Sequence, residues 1–195
     1  MPGRGLITRR PGSAGPLSLI VGVAVVIASL AYFISSLQVD RVTFAFDGKG
    51  LTERWNEAAA AASLPTLTIN TPRSRPDESG DLVFGEEWSE GLSLRGRVDA
   101  ATSLLVELTV IGDPDLVDGG SIVEAMDLLI RVTEPDLGED ERLATLQELG
   151  VVGGDPTADL RATRGHTDYV VASANQGSTV GMSAAPYSSL ASGRP

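Results

Sequence analysis

Between Arg10 and Asp40 the chain runs for 29 residues without a charged side chain, and the stretch from Leu17 to Leu37 is almost wholly apolar. Wound as a helix, those 21 residues would measure about 31 Å at about 1.5 Å of rise per residue. That matches a hydrocarbon core about 30 Å thick. Ser18, Ser29 and Ser35 can bond back to carbonyls inside such a helix. Tyr32 and Phe33 fall toward its far end, where aromatic rings favour the membrane interface. The segment therefore predicts a single transmembrane helix over 17–37, preceded by a short disordered segment 1–16. After it come one domain over 38–184 and a disordered tail over 185–195.

Positive charge sets the expected orientation. Arg4, Arg9 and Arg10 precede the apolar run, and Arg41 and Lys49 follow it, a bias that favours a cytoplasmic N-terminus and an extracytoplasmic domain. A cleaved signal peptide is the competing reading, but its apolar region spans about 7–15 residues before a small-x-small site. Here the run is longer, and Ala28-Ser29-Leu30-Ala31 is followed by bulky Tyr32 and Phe33. An uncleaved signal anchor fits better. Thr8-Arg9-Arg10 invites a twin-arginine reading, yet Pro11 and Gly12 stand where that signal wants apolar side chains.

Composition narrows what the domain can do. All 26 acidic residues lie beyond the apolar run, with 12 of the 15 basic ones (Arg4, Arg9 and Arg10 precede it), a net of −14. Nucleic-acid binding rests on cations that neutralise phosphates, so this surface disfavours it. The absence of cysteine removes disulfides, thiolate nucleophiles, iron–sulfur clusters and thiolate zinc sites together. Lysine occurs once, at Lys49, against 14 arginines, a codon signature of a high-GC bacterial genome.

Hydrophobic periodicity sketches the domain. Val42, Phe44 and Phe46 alternate as in a half-buried strand, which Asp47-Gly48-Lys49-Gly50 interrupts. Leu51, Trp55, Ala58, Ala59 and Ala62 form one stripe of a helix over 51–62. Leu67 and Ile69 suggest a short strand, and the Pro-containing stretch 71–80 a loop. Leu82/Phe84, Leu92/Leu94/Val98 and Leu104/Val106/Leu108/Val110 then read as an antiparallel meander. Ser121-x-x-Glu124 has the spacing of a capping box opening a helix with Ile122, Met126, Leu129 and Ile130 inward. A further helix follows with an apolar face of Leu143, Leu146 and Leu149, stopped by Gly150. Three strands, near 160–163, 167–173 and 178–183, close the domain. The fold class is α+β: one antiparallel sheet covered by helices on one face.

No motif specifies a reaction. His166, the sole histidine, sits beside Gly165 in an expected hairpin turn; with Asp168 and a serine it could form a triad, but no strained G-x-S-x-G elbow occurs. Glu86 and Glu87 offer carboxylates beside Trp88, an arrangement that could serve glycoside chemistry, which needs two carboxyl groups about 5–9.5 Å apart. Trp55, on the helical stripe, reads as core. Asp113, Asp115 and Asp118 before Gly119-Gly120 resemble calcium ligands, but Val117 stands where a ligand is wanted, and a helix-entry turn accounts for the cluster. Neither phosphate-cradling glycine motif is present.

The expectation is accordingly a signal-anchored, single-pass membrane protein of a bacterial envelope. It would present an acidic, non-enzymatic extracytoplasmic interaction module to an unknown envelope protein partner, with no catalytic, cofactor or metal residues assigned. Binding would use the uncovered sheet face or the 72–81 loop. The alternative is an envelope hydrolase using paired carboxylates or His166.

Overall fold

Asp47, which reads as a strand-breaker, is the cap that starts the first helix, α1 (Gly48–Ala61): its Oδ1 accepts from the Gly50 N–H at 2.7 Å. In the computed structural model, residues 43–70, 74–154, 160–174 and 179–187 are described. The expected span 17–37 and the segment 1–16 lie outside them, as does all of the tail beyond 187. Among the described residues no helix is long and apolar enough to cross a membrane.

Helix α1 buries Leu51, Trp55 and Ala59, the centre of the anticipated stripe. The strand expected at Leu67 and Ile69 is absent. Both side chains are buried, but a single 3-10 turn (Pro65–Leu67) precedes an extended stretch whose backbone groups go to side chains instead of a ladder. Trp55 Nε1 donates to the Leu67 carbonyl at 2.6 Å and Trp88 Nε1 to that of Thr68 at 2.9 Å. The Asn56 amide grips Ile69 from both sides, accepting from its N–H at 2.8 Å and donating to its carbonyl at 3.0 Å. Buried backbone groups need partners, and here indole and amide groups supply them. The strand expected around Phe44 shrinks likewise to a brief pairing with Leu104 and Leu105.

Seven strands form one antiparallel sheet: β1 (Arg75–Pro76), β2 (Leu82–Ser89), β3 (Leu92–Val98), β4 (Leu105–Gly112), β5 (Leu160–Arg164), β6 (Thr167–Ala174) and β7 (Thr179–Pro186). Their spatial order is β1-β2-β3-β4-β7-β6-β5, so two meanders meet where β4 pairs with β7. The last strand continues to Pro186, past the expected boundary at 184. Because side chains alternate across a strand, register assigns the faces. Leu94, Val110, Met182 and Val171 lie in one cross-strand row, and all four are fully buried. In the next such row Gly96 is roofed by the Phe84 ring, where a β-carbon would collide with it.

The buried face packs against helix α2 (Gly119–Thr133), which contacts β4 and β7. Its inward set includes Ile122, Met126, Leu129 and Ile130 as expected, and extends to Ala125, Leu128 and Val132 because α1 and α3 (Glu139–Glu148) flank it. The expected capping box gives way to a different cap. Asp118 is the N-cap, accepting from the Ser121 N–H at 3.1 Å and its hydroxyl at 2.6 Å, while Glu124 is exposed. Those bonds, the hydroxyl foremost, hold the Asp118 carboxyl below its ordinary pKa.

The face of α3 is also shifted. Leu146 and Leu149 are buried, but Leu143 is 45 % exposed and its neighbour Arg142 is buried. Arg142 Nε reaches Asp127 on α2 at 2.9 Å and Nη1 the Leu137 carbonyl at 2.9 Å. Gly150, at φ +67°, ends α3 as anticipated: Val151 N–H bonds back to Leu146 and Gly150 N–H to Gln147.

Candidate functional site

The second face of the sheet differs in kind from the first. Gly85, Arg95, Thr109, Ser183, Val170 and Arg161 form one row across six strands, and each is exposed or half-buried. Small and β-branched side chains occupy its middle, and the Thr109 and Ser183 hydroxyls bond to each other at 2.8 Å.

Arginines gather toward the β1 edge of this face. Arg75, Val83, Arg97 and Glu107 lie in register on β1 to β4. Arg95 stands two residues from Arg97 on β3, hence on the same side and about 7 Å along the strand. Arg75, Arg95, Arg97, Glu107 and Thr109 line a cleft of about 710 Å³ floored by Gly85. Arg97 is held in place: Nη2 bonds Glu107 at 2.9 Å and Nη1 lies 3.7 Å from Asp81, whose side chain is buried. Its Nε is buried without a hydrogen-bond partner among the described residues. The side chains of Arg75 and Arg95 are exposed and make no hydrogen bond or ion pair among the described residues. A second cleft of about 460 Å³ adjoins the first through Gly85 and Arg95, and Glu87 and Asp113 line it. The face thus carries a groove that is cationic at one end and acidic at the other.

The residues singled out from the sequence are placed as follows. Glu86 and Glu87, consecutive on β2, point to opposite faces, and Glu86 accepts from Asn70 Nδ2 at 2.8 Å. Trp88, beside those carboxylates, is half-buried and stacked on Trp55 with ring centroids 5.5 Å apart. Asp113 Oδ1 accepts from the Asp115 N–H at 2.9 Å, and Asp118 is the helix cap. Among the described residues no three His, Asp or Glu side chains are grouped as a metal site would need. His166 is exposed in the β5–β6 turn, and what fixes that turn is its backbone. Its N–H and the Thr167 hydroxyl both donate to Glu134 Oε1 at 2.7 Å. Asp168, the suggested triad partner, instead accepts from the Thr163 hydroxyl at 2.6 Å.

Beside that turn lies a buried phenol that the sequence reading passed over. Tyr169 is fully buried, its OH 2.7 Å from the Thr133 hydroxyl. Desolvation pushes its pKa up to about 12; the Thr133 bond opposes the rise and the Glu134 charge adds to it. An unfolded tyrosine ionises near pH 10. Above that pH the unfolded chain releases a proton that the native state keeps, so stability falls as pH rises. The contribution is complete below about pH 10. Between there and pH 12 it should fall by about 1.4 kcal/mol per pH unit, on the order of 2–3 kcal/mol in all. Urea unfolding midpoints from about pH 9 upward would show the decline, and Tyr169→Phe should flatten it.

Comparison of the chain with protein-family models, curated proteins and solved structures finds no match.

Proposed function

We propose that this protein is a single-pass membrane protein, held by a signal anchor over 17–37, whose extracytoplasmic domain binds an envelope partner through the uncovered face of its sheet. One observation carries this reading: the sheet is sealed by helices on one side, while the other side presents a groove of glycine, serine, threonine and arginine between β1 and β7. An antiparallel sheet commonly leaves one face to water, and here that face is grooved, with room to seat a partner. The uncharged run at 17–37 is long enough to span, and the −14 balance beyond it speaks against nucleic acid. The hydrolase alternative would use paired carboxylates or His166, but Glu86 and Glu87 point to opposite faces of β2 and Asp168 is bonded to Thr163.

Topology and interface are tested separately. A reporter active only outside the cytoplasm, fused after Pro195, should be active, and the protein should remain with membranes through a carbonate wash. A fragment beginning near Tyr32 would show signal cleavage and end the anchor reading. A photo-crosslinking residue at Ile111 or Val170 on the open face should give discrete adducts in intact cells. The same residue at Glu124 or Leu143, on the exposed helical side, should not. Equal labelling from both sides, or none from the open face, would refute the interface. His166→Ala, and Glu86→Gln with Glu87→Gln, should preserve the phenotype that a deletion strain loses.

A further inference from the structure

The cationic end of the groove is out of keeping with its surroundings. In a domain carrying −14, two arginines, Arg75 and Arg95, stand together without internal partners and face a cleft with a glycine floor. Like-charged neighbours repel, so such a pair needs a counter-charge. Arg97, two residues along β3 from Arg95, is already engaged: Glu107 and Asp81 both approach it. Among the residues that line the cleft, three guanidinium groups meet one carboxylate, that of Glu107, which leaves the cleft cationic.

We infer that this cleft binds the carboxylate of a singly charged ligand, presented by the partner that docks on the open face. The inference rests on the reading of that face as the interface and names the chemistry it recognises. Guanidinium presents a planar fork of donors that matches a carboxylate edge to edge. Arg95 supplies the fork and Arg75 a second cation across the cleft. The Thr109 hydroxyl on the wall, bonded to that of Ser183, can reorient to donate. Single charge follows from the acidic end of the groove, where Glu87 and Asp113 repel a second anionic group. Gly85 makes the room. Opposite Arg95 it contributes no side chain, and a β-carbon there would meet only the Leu94 carbonyl oxygen, at 3.4 Å.

The test uses the full chain in detergent micelles, with arginine Nε–Hε resonances followed by NMR. N-acetylalanine should shift the Arg75 and Arg95 signals saturably, whereas N-acetylalanine amide should not. Arg95→Gln should weaken binding at least tenfold. Gly85→Val, which fills the cleft, should abolish binding while leaving the unfolding midpoint near that of the parent. Absence of a saturable shift, equal binding of the amide, or indifference to Arg95→Gln would overturn the inference. Tighter binding of dimethyl phosphate than of N-acetylalanine would overturn the carboxylate assignment in favour of a phosphodiester. Should the open-face adducts form while no anion binds, this inference fails and the interface reading stands. Should anions bind while the adducts are missing, the interface reading is the one that falls.

Discussion

Trp55→Ala should destabilise the domain by about 3–5 kcal/mol, the range for truncating a large buried aromatic. Trp55 is fully buried, so the substitution leaves a cavity between α1 and the sheet. It also removes the Nε1 donor from the buried Leu67 carbonyl and the stacking partner of Trp88. An orphaned carbonyl adds its own cost. Trp55→Phe keeps much of the volume and loses the donor, so it should fall between the parent and alanine. Urea denaturation followed by circular dichroism would rank the three. A loss below about 1 kcal/mol for alanine would mean that α1 does not anchor the 67–69 stretch.

The second large effect belongs to the ion pair that joins α2 to α3. Asp127 accepts from Arg131 Nε at 2.7 Å, one turn on, and from the buried Arg142 at 2.9 Å. Asp127→Ala should cost about 3 kcal/mol, because it leaves the Arg142 charge buried with only a carbonyl for company. Asp127 keeps a partly exposed side chain, which holds the figure at the low end. Arg142→Met should cost less, since an apolar chain of similar length fills the slot. Combining the two should recover more than half of the loss from Asp127→Ala alone. Additive losses in that double-mutant cycle would show that the two residues do not act as a pair.

These residues also mark where the sequence stops being legible. The sheet and α2 are readable because Leu94, Val110 and Met182 sit at their strand periods and Ile122, Met126 and Leu129 at the helical one. Leu143 has the helical spacing of a core residue, yet the carboxylate of Asp127, on another helix, draws Arg142 inward in its place. Leu67 and Ile69 alternate like a strand, yet their backbone partners are Trp55 and Asn56, residues no local pattern connects to them. Ser121 has the spacing of a cap, but the helix starts one turn earlier at Asp118, which takes the N–H and hydroxyl of Ser121 as its donors. At the candidate site, Arg95 and Arg97 alternate with Leu94 and Val98, so their outward direction is implicit in the sequence. Arg75 joins them only through strand pairing and sheet order, which periodicity does not encode.

The meeting of β4 and β7 at the middle of the sheet has a temporal side. The four-stranded meander β1 to β4 and the three-stranded one β5 to β7 each close through strands adjacent in sequence, but Thr109 meets Ser183 across 74 positions of chain. A ribosome delivers β4 long before β7, so the flank of β4 that ends as the centre of the sheet spends that interval as an edge. Edges of that sort pair with whatever strand comes first. Only when β7, through Pro186, has been made does that vulnerable border of the nascent chain become an interior seam.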